Sequence, residues 1–364
     1  MELFKELKEV LQNFDIDGTL ISASPYGFGH INTTYLAVYE NGDKPMRYIL
    51  QKINTSLFKS VDELMSNIVL VTEFNRERII KRGGNPDRES LTVIKTKSGE
   101  NYYRREDGGC FRVFIFIENT VAYQTVTKPK DFYYSAIAFG SFSNLLSEFD
   151  ASKLYEILPN FHNTKVRYQN FLAALEKDEF DRAKDCQQEI EFIKAREHYY
   201  SKIVDLLESG KMPLKVTHND TKLNNVLLDD KTGEPVAVID LDTIMPGSLC
   251  YDFGDSIRFG CNPCDEDEKD LSKVNFRLDL YEMYLKGYLE AVGERITDIE
   301  KENLAFGSIL MTIECGMRFL TDYLSGDTYF RTHRPGQNLD RARTQLKLVS
   351  DMEKIIDQMN ALVK

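Results

Sequence analysis

The sequence predicts an α+β fold of two lobes, a small, antiparallel, β-rich lobe followed by a larger, mainly helical one. Residues 1–117 alternate short apolar runs with turn residues, whereas helical patterns dominate residues 131–364. A polar stretch that ends in proline, ENTVAYQTVTKP, lies between them. A chain of 364 residues is also long enough for two lobes. We therefore predict a nucleotide-binding lobe at 1–117, a linker at 118–130 and a helical lobe at 131–364.

The predicted small lobe is a set of strands with one helix among them. Leu64, Ile68, Val71 and Phe74 recur at helical spacing and predict the helix, and short apolar runs predict the strands. A glycine-containing turn, PYGFGH at 25–30, joins the first two strands. The predicted ranges are strands at 18–24, 31–39, 47–53, 91–96, 101–105 and 111–117 and a helix at 61–81.

The predicted large lobe is a series of helices that is interrupted once. Short strand-like runs flank a polar segment, KVTHNDTKLNNVLLDD at 215–230, and end in VAVID at 236–240. The turn between them, DDKTG, suits a β-hairpin. The predicted helices are 131–148, 168–177, 187–207, 279–292, 301–324 and 338–363.

Composition excludes several classes of function. A formal net charge of −12 argues against nucleic acid and anionic membranes as partners. No apolar run reaches the roughly 20 residues of a membrane span, so no membrane is expected. Scattered cysteines are typical of reduced thiols, so we expect a cytoplasmic protein. We also expect a monomer or weak dimer. The lone pair Cys261 and Cys264 leaves open a metal or redox site, although two free thiols is the simpler interpretation.

The polar segment has the residue pattern of phosphoryl transfer. Asp220 and Asn225 are spaced like the aspartate and asparagine of a kinase catalytic loop, and His218 stands where that loop has its histidine. Asp240 ends an apolar strand, where a second metal-binding aspartate is expected, and the turn at 25–30 could cover phosphates. We predict Asp220 as the catalytic base and Asn225 and Asp240 as ligands of Mg²⁺, which prefers hard oxygen donors.

Each of these motifs also has a plainer explanation. Asp220 could cap a turn, and an aspartate after a strand, such as Asp240, is commonly a turn former. A non-catalytic nucleotide or sugar sensor is an alternative of another class. Such a sensor would be expected to lose Asp220 or Asp240, and both are present. The joint occurrence of the motifs, in this order, favours the kinase-like interpretation.

Long strings in the chain resemble one family. THNDTKLNNVLLD and AVIDLDTIMPGSLCYDFGDSIRFG are similar to the aminoglycoside phosphotransferase superfamily. With YGFGHINTTYL and ECGMRFLTDYLSGDTYF, they resemble the N-acetylhexosamine 1-kinases within it. The resemblance implies a protein-kinase-like fold, ATP as co-substrate, and transfer of its γ-phosphate to the anomeric hydroxyl of N-acetylglucosamine or N-acetylgalactosamine. A kinase of another small alcohol, such as choline, homoserine or an aminoglycoside, remains the alternative.

The same resemblance implies an acceptor site. The histidine that reaches the sugar corresponds to His30, and Asn32 could join it or cap the strand. Asp220 would face the acceptor hydroxyl. Arg318 and Tyr329 would contact the sugar, with two alternatives: a salt bridge from Arg318 to Glu314, and a core position for Tyr329.

The nucleotide site is expected in the small lobe and at its end. Backbone amides of the turn that contains Gly27 and Gly29 would hold phosphates. Backbone groups around Phe116, Ile117 and Glu118 would hold adenine.

The sequence departs from the kinase pattern on one strand. The lysine that usually grips the phosphates is replaced by Gln51, and Lys52 is expected on the opposite face. Glu63 and Glu73 are candidates for the helix glutamate that would pair with this lysine, and neither matches clearly.

Three residues are expected to support the site. His218 should prop the catalytic loop, and Asp242 should either bind metal or hydrogen-bond the loop. The resemblance implies that Asp255 ties the following helix to the catalytic loop.

Overall fold

The computed structural model describes residues 2–27, 31–42, 44–123, 125–126 and 128–363. The chain forms two compact units. The first unit consists of Met1–Val121, Lys153–Leu158 and Leu227–Ile244, and the second consists of Ala122–Ser152, Pro159–Val226 and Met245–Lys364.

The helices and strands agree with the predicted α+β class, with the strands concentrated in the first unit and the helices in the second. The strands are β1 Thr19–Pro25, β2 Thr33–Asn41, β3 Lys44–Lys52, β4 Val93–Ile94, β5 Tyr103–Arg104, β6 Cys110–Ile115, β7 Thr120–Val121, β8 Lys215–Thr217, β9 Val226–Asp229, β10 Pro235–Val238 and β11 Met245–Gly247. The helices are α1 Glu2–Leu11, α2 Val61–Lys81, α3 Pro86–Glu89, α4 Pro129–Leu145, α5 Thr164–Lys177, α6 Gln187–Lys194, α7 Lys202–Glu208, α8 Leu249–Gly260, α9 Leu278–Val292, α10 Asp298–Leu324, α11 Gln337–Lys354 and α12 Ile356–Val363.

An antiparallel sheet in the order β1-β2-β3-β6-β4 forms the body of the first unit, and β5 pairs with the same β6. One face of the sheet buries Ala37, Leu50 and Val113 together with Leu7 and Leu11 of α1. Burial of apolar side chains at about 25 cal/mol per Å² holds such a layer together. The antiparallel, β-rich lobe that the sequence predicts is therefore confirmed.

Helix α2 has the predicted bounds because both of its ends are specified locally. The Ser60 hydroxyl accepts a hydrogen bond from the N–H of Glu63 and caps the first turn. Leu64, Ile68 and Val71 form its buried stripe. Gly83, with φ of +78°, follows its last residues in a left-handed conformation that glycine tolerates.

The first unit includes two segments that the sequence assigned to the helical lobe, Lys153–Leu158 and Leu227–Ile244. Strand β9 pairs with β7, with Leu228 opposite Val121. The side chain of Asn67 on α2 exchanges two hydrogen bonds with the backbone of Tyr155. These long-range bonds hold both segments in the first unit. The predicted division at 117–130 therefore leaves out two later segments that belong to the first unit.

The second unit is the predicted mainly helical lobe. Its helices α8 and α10 approach closely because both carry glycine at the contact: a Cβ on Gly254 would lie 2.4 Å from the carbonyl oxygen of Gly307. A single helix over 187–207 was expected, but the structure has two, α6 and α7. The buried Thr164 hydroxyl donates to the carbonyl of Tyr200, so a tertiary contact satisfies an acceptor between the two helices.

Helix α10 is long and apolar enough to cross a membrane by length and composition alone. However, 78% of its most apolar window is buried inside the protein. It also carries Glu300 and Glu314, both buried. This burial is the pattern of a core helix rather than of a lipid-facing one.

Candidate active site

The second unit builds the catalytic loop between β8 and the short turn Leu223–Asn225. Strand β8 pairs with β11, and Asn219 follows it with φ of +63°. His218 is fully buried, with its ring 5.5 Å from that of Phe139, centroid to centroid. Its Nδ1 accepts a hydrogen bond from the N–H of Asp220 at 3.3 Å. His218 therefore lies beneath the loop and supports its backbone.

Two aspartates of α8 hold the backbone of this loop. Asp252 accepts hydrogen bonds from the N–H groups of His218 and Asn219, each at 2.8 Å, and Asp255 accepts one from Thr221 at 2.9 Å. Burial raises the pKa of Asp252. Three backbone N–H groups of the loop thus donate to α8, and Asp255 contacts the loop as predicted. Asp252 was missed, although its spacing of three residues from Asp255 places both on one helix face.

An ion pair fixes Asp255. Burial acts to raise the pKa of Asp255, but the guanidinium of Arg258 at 2.8 Å and the nearby Lys222 act together to hold the pKa below its usual range. Both side chains are about nine-tenths buried. The carboxylate therefore stays ionised and accepts from Thr221 and Arg258 together.

Asp220, Asn225 and Lys222 form the reactive end of the loop. Asn225 donates to the carbonyl of Asp220 at 2.8 Å and to its Oδ2 at 3.3 Å. Lys222 lies with its Nζ 2.9 Å from Oδ1 of Asp220. The Asp220 carboxylate is the largest cause of a raised pKa at Lys222, so the amine is held cationic. This arrangement places one carboxylate and one cation side by side, about a quarter and a third exposed.

Lys222 is a candidate functional residue that the sequence analysis missed. The signal was available, because Lys222 is the only cation inside the motif HNDTKLNN. A cation beside the catalytic carboxylate can interact with a transferred phosphoryl group, whose charge must be neutralised.

Arg318 of α10 lies among aromatic rings in the second unit. Its guanidinium carbon is 5.0 Å from the ring centroid of Phe161, 5.5 Å from that of Phe330 and 6.0 Å from that of Tyr329. The predicted alternative, a salt bridge to Glu314, does not form. Within the described residues Arg318 makes no ion pair and donates no hydrogen bond.

Glu314 is instead held by His162, another residue that the sequence analysis missed. Nδ1 of His162 lies 2.8 Å from Oε1 of Glu314, and both side chains are at least nine-tenths buried. Tyr329 is 59% exposed, so its alternative role as a core residue is wrong. The backbone N–H of Tyr329 donates to Asp322, which fixes the segment that follows α10.

In the first unit, Asp240 and Asp242 follow β10 and behave differently. Asp240 is exposed and has a left-handed backbone, with φ of +61°. Asp242 is buried and forms an ion pair with Arg112, Nη2 to Oδ1, at 2.5 Å. The expected hydrogen bond between Asp242 and the catalytic loop is not formed with the described residues, because Arg112 and Asn32 hold its carboxylate instead, and its other expected role, binding metal, stays a prediction.

Two predicted ligand-binding amides are already engaged inside the first unit. Asn32 is buried, donates to Oδ2 of Asp242 at 2.5 Å and accepts from the N–H of Asn54 at 3.0 Å. Gln51 accepts from Arg112 and donates to Thr34 at 3.1 Å. Each amide keeps one N–H that donates to no described residue, so a contact with sugar or phosphate stays a prediction for both.

The segment after β6 offers backbone groups rather than side chains. The carboxylate of Glu118 pairs with Arg47, and its carbonyl accepts from Arg88 at 2.5 Å. The guanidinium carbon of Arg47 lies over the ring of Phe116, 4.0 Å from its centroid. The N–H groups of Ile117 and Glu118 donate to no described residue, so both are available to a ligand such as adenine.

The phosphate turn is described only in part. Gly27 has φ of +76°, and a Cβ there would meet nothing within 4 Å, so backbone conformation rather than space requires glycine. Gly29 and His30 lie outside the described residues.

Each predicted ligand of magnesium, taken in its own unit, offers the hard oxygen donor that this ion prefers. Oδ1 of Asn225 accepts no hydrogen bond from a described residue, and Asp240 presents an exposed carboxylate. In the described part of the chain, no three His, Cys, Asp or Glu side chains cluster to form a metal site. Magnesium commonly takes only one or two protein oxygens and completes its shell with water and phosphate.

Comparison with known proteins places these observations in a family. A family model described as "Phosphotransferase enzyme family" matches residues 22–295. The fold is similar to that of an aminoglycoside phosphotransferase from Alicyclobacillus acidocaldarius, with a TM-score of 0.63 at 13% identity, covering 98% of this chain and 96% of that one. It is also similar to a choline kinase from Cryptosporidium parvum, with a TM-score of 0.57, 14% identity, and coverage of 97% and 96%. A spectinomycin phosphotransferase solved with ADP and spectinomycin matches with a TM-score of 0.51 at 14% identity, covering 98% of each chain.

Proposed function

Because the chain belongs to the phosphotransferase enzyme family, we propose that it transfers the γ-phosphate of ATP to the anomeric hydroxyl of an N-acetylhexosamine. Two acceptors are meant, N-acetylglucosamine and N-acetylgalactosamine, each yielding a sugar 1-phosphate. The observation that carries the choice of acceptor is the unpaired Arg318 guanidinium among aromatic rings. The sequence resemblance to N-acetylhexosamine 1-kinases supports the same choice.

The catalytic loop supplies the groups for transfer. Asp220 accepts a hydrogen bond from the anomeric hydroxyl and orients its oxygen toward the γ-phosphorus. Because the transition state is loose, the proton moves to Asp220 only as the new P–O bond forms. Lys222, 2.9 Å from Asp220, offers its positive charge to the phosphoryl oxygens.

Magnesium and nucleotide complete the proposal. Asn225 and Asp240 are the proposed protein ligands of Mg²⁺, which would neutralise phosphate charge when bound. The backbone around Gly27 and Gly29 is proposed for the phosphates, and the N–H of Ile117 for adenine. ADP in the related spectinomycin phosphotransferase supports a nucleotide in this fold.

The acceptor pocket is proposed at Arg318, with aromatic faces and a few polar groups, which is the usual make-up of a small-molecule site. Tyr329 offers an exposed ring to the apolar face of a pyranose, and Arg318 offers hydrogen-bond donors to its hydroxyl or amide oxygens. Burial lowers the pKa of the neighbouring Arg167, and Arg318 adds to this effect, so two guanidinium groups lie close together. The sequence resemblance also assigns His30 to the sugar.

The same cluster disfavours the alternative acceptors. Choline and aminoglycosides are cations, and a cation binds well over aromatic rings only when those rings are not already occupied by another cation. Here the rings of Phe161, Phe330 and Tyr329 face Arg318, with Arg167 nearby. A neutral sugar meets no such repulsion.

The test is phosphorylation of an acceptor panel by purified protein with ATP and Mg²⁺. The panel contains N-acetylglucosamine, N-acetylgalactosamine, glucose, choline, homoserine and an aminoglycoside. The 1-O-methyl glycosides of both N-acetylhexosamines serve as matched controls. We expect ADP release only with the free N-acetylhexosamines and none with their methyl glycosides. Turnover of a methyl glycoside, or a preference for choline, homoserine or the aminoglycoside, would overturn the proposal.

We also propose a cytoplasmic protein that is a monomer or weak dimer. All six cysteines are free thiols, in agreement with a reducing compartment. Sedimentation across a range of concentrations tests the oligomeric state.

A further inference from the structure

The first unit has a buried cation, Arg112, on strand β6, whereas a kinase lysine would be expected on β3. On β3, Gln51 occupies the inward position, and Lys52 is exposed with its Nζ 5.9 Å from the ring centroid of Phe111. Arg112 lies directly opposite Gln51 in the register of the two strands and is 1% exposed. Its Nε and Nη2 donate to Oε1 of Gln51 at 3.0 and 2.8 Å.

The charge of Arg112 is balanced by the loop after β10 and not by α2. Its Nη2 lies 2.5 Å from Oδ1 of Asp242, and its contact with α2 is the sulfur of Met65 at 4.0 Å from Nη1. The two candidate glutamates of α2 lie elsewhere, with Glu63 half-buried and Glu73 exposed. A buried ion pair is costly to desolvate, so the remaining polar atoms of both side chains need further hydrogen-bond partners.

The loop after β10 is held at two points. At the first, Arg112 binds one oxygen of Asp242 and Asn32 binds the other, so the carboxylate is clamped from β6 and from the segment before β2. At the second, Nδ2 of Asn67 on α2 donates to the carbonyl of Ile244 at 2.9 Å. Side chains from three separate elements therefore determine the path of residues 240–244.

These clamps act on Asp240. Asp240 precedes the turn Leu241–Thr243 and has a left-handed backbone, with φ of 61° and ψ of 57°. Aspartate adopts this conformation more readily than most residues other than glycine, but it is still sparsely populated, so fixed neighbours help to hold it. We infer that Arg112 is a positioning residue, which anchors Asp242 and thereby holds the left-handed backbone that presents the Asp240 carboxylate. The inference rests on the proposed function, in which Asp240 is a ligand of Mg²⁺.

The experiment separates positioning from simple charge balance in the core. Arg112→Met leaves Asp242 buried and unpaired, whereas Arg112→Met with Asp242→Asn removes both charges. Arg112→Lys keeps the charge and loses the bidentate reach to Gln51. Arg76→Met, at an exposed arginine of the same unit that pairs with Asp87 at 2.5 Å, is the matched control.

Each variant is measured for its melting temperature and for ADP affinity by calorimetry over a series of Mg²⁺ concentrations and with chelator. We expect the double variant to regain most of the melting temperature that Arg112→Met loses. We also expect it to need at least tenfold more Mg²⁺ than the wild type for half-maximal ADP affinity, while metal-free ADP affinity is unchanged. The Mg²⁺ requirement of Arg112→Lys should lie between those of the wild type and the double variant, and that of Arg76→Met should match the wild type.

A double variant with the Mg²⁺ requirement of the wild type would overturn the inference and reduce Arg112 to a core charge partner. The readout uses no acceptor, so it stands even if the acceptor is not an N-acetylhexosamine. An ADP affinity of the wild type that does not respond to Mg²⁺ would instead contradict the proposed function, and the two failures are distinguishable.

Discussion

Replacement of Arg318 by alanine should impair acceptor use while the protein stays folded. Arg318 makes no ion pair and donates no hydrogen bond in the part of the chain that the structure describes. Its folding contribution is therefore limited to contacts with three rings at 5.0, 5.5 and 6.0 Å. Such cation–π contacts are worth about 0.5–1 kcal/mol at exposed sites, so the loss of unfolding free energy should stay below about 2–3 kcal/mol.

The loss at the acceptor should appear in the sugar kinetics. A hydrogen bond to a charged group is worth about 1.5–3 kcal/mol, which predicts a fall of roughly ten- to a hundredfold in kcat/KM for the sugar. The KM for ATP should change little, because the residue is proposed to touch only the acceptor. Steady-state kinetics with each substrate varied, and a denaturant titration of the same preparation, measure all three quantities.

Arg196→Ala is the contrasting control for this prediction. Arg196 stacks on Phe192 at 3.4 Å and forms a two-bond ion pair with Glu353, so it has a clear structural role. This variant should lose stability and keep its sugar kinetics. If Arg318→Ala behaves in the same way, with early melting and normal sugar kinetics, the assignment of Arg318 to the acceptor is refuted.

Four further predictions concern the loop and its supports. Asp220→Asn should reduce transfer at least a thousandfold while calorimetry still detects nucleotide binding, and near-normal turnover would remove Asp220 from its role. Asp240→Ala should abolish the Mg²⁺-dependent rise in melting temperature with ADP, and an unchanged rise would count against it as a ligand. Lys222→Met should lower kcat about tenfold or more with little change in the sugar KM, a split that a purely structural lysine would not produce. Asp255→Asn should lower the free energy of unfolding by about 3–5 kcal/mol at pH 7, because it leaves Arg258 buried and unpaired. Because the folded pKa of Asp255 lies below the usual value of about 3.9, the stabilisation by its carboxylate is present above about pH 4 and should shrink as the pH falls further. Urea titrations at several pH values measure this change.

Local sequence pattern was sufficient to predict helix α2 and the loop that contains Asp220 and Asn225. The helix at 61–81 could be predicted because its cap, apolar stripe and terminal glycines are all adjacent in sequence. The spacing of Asp220 and Asn225 places both in one loop, and the structure joins them by two hydrogen bonds. Helical spacing also indicated a pair between Glu314 and Arg318, and there the local pattern failed.

That failure has a tertiary cause. His162, which lies 152 residues before Glu314, occupies the carboxylate and leaves Arg318 among aromatic rings. In the same way, no local feature of β6 predicts that Arg112 pairs with Asp242. The two residues lie close together because of the register of the sheet and because residues 227–244 belong to the first unit.

The sequence by itself determined the fold class and the loop that carries Asp220 and Asn225, because those depend on periodicity and short spacing. The phosphotransferase family was implied by the resemblance of long strings to known proteins. Only the tertiary structure decided which buried charges are paired with which. Arg112 with Asp242, His162 with Glu314 and Asp252 with the loop backbone each join segments far apart in the chain. The physical reason is that a buried charge must find a partner, and the partner that it finds depends on which distant side chains packing brings within hydrogen-bond distance.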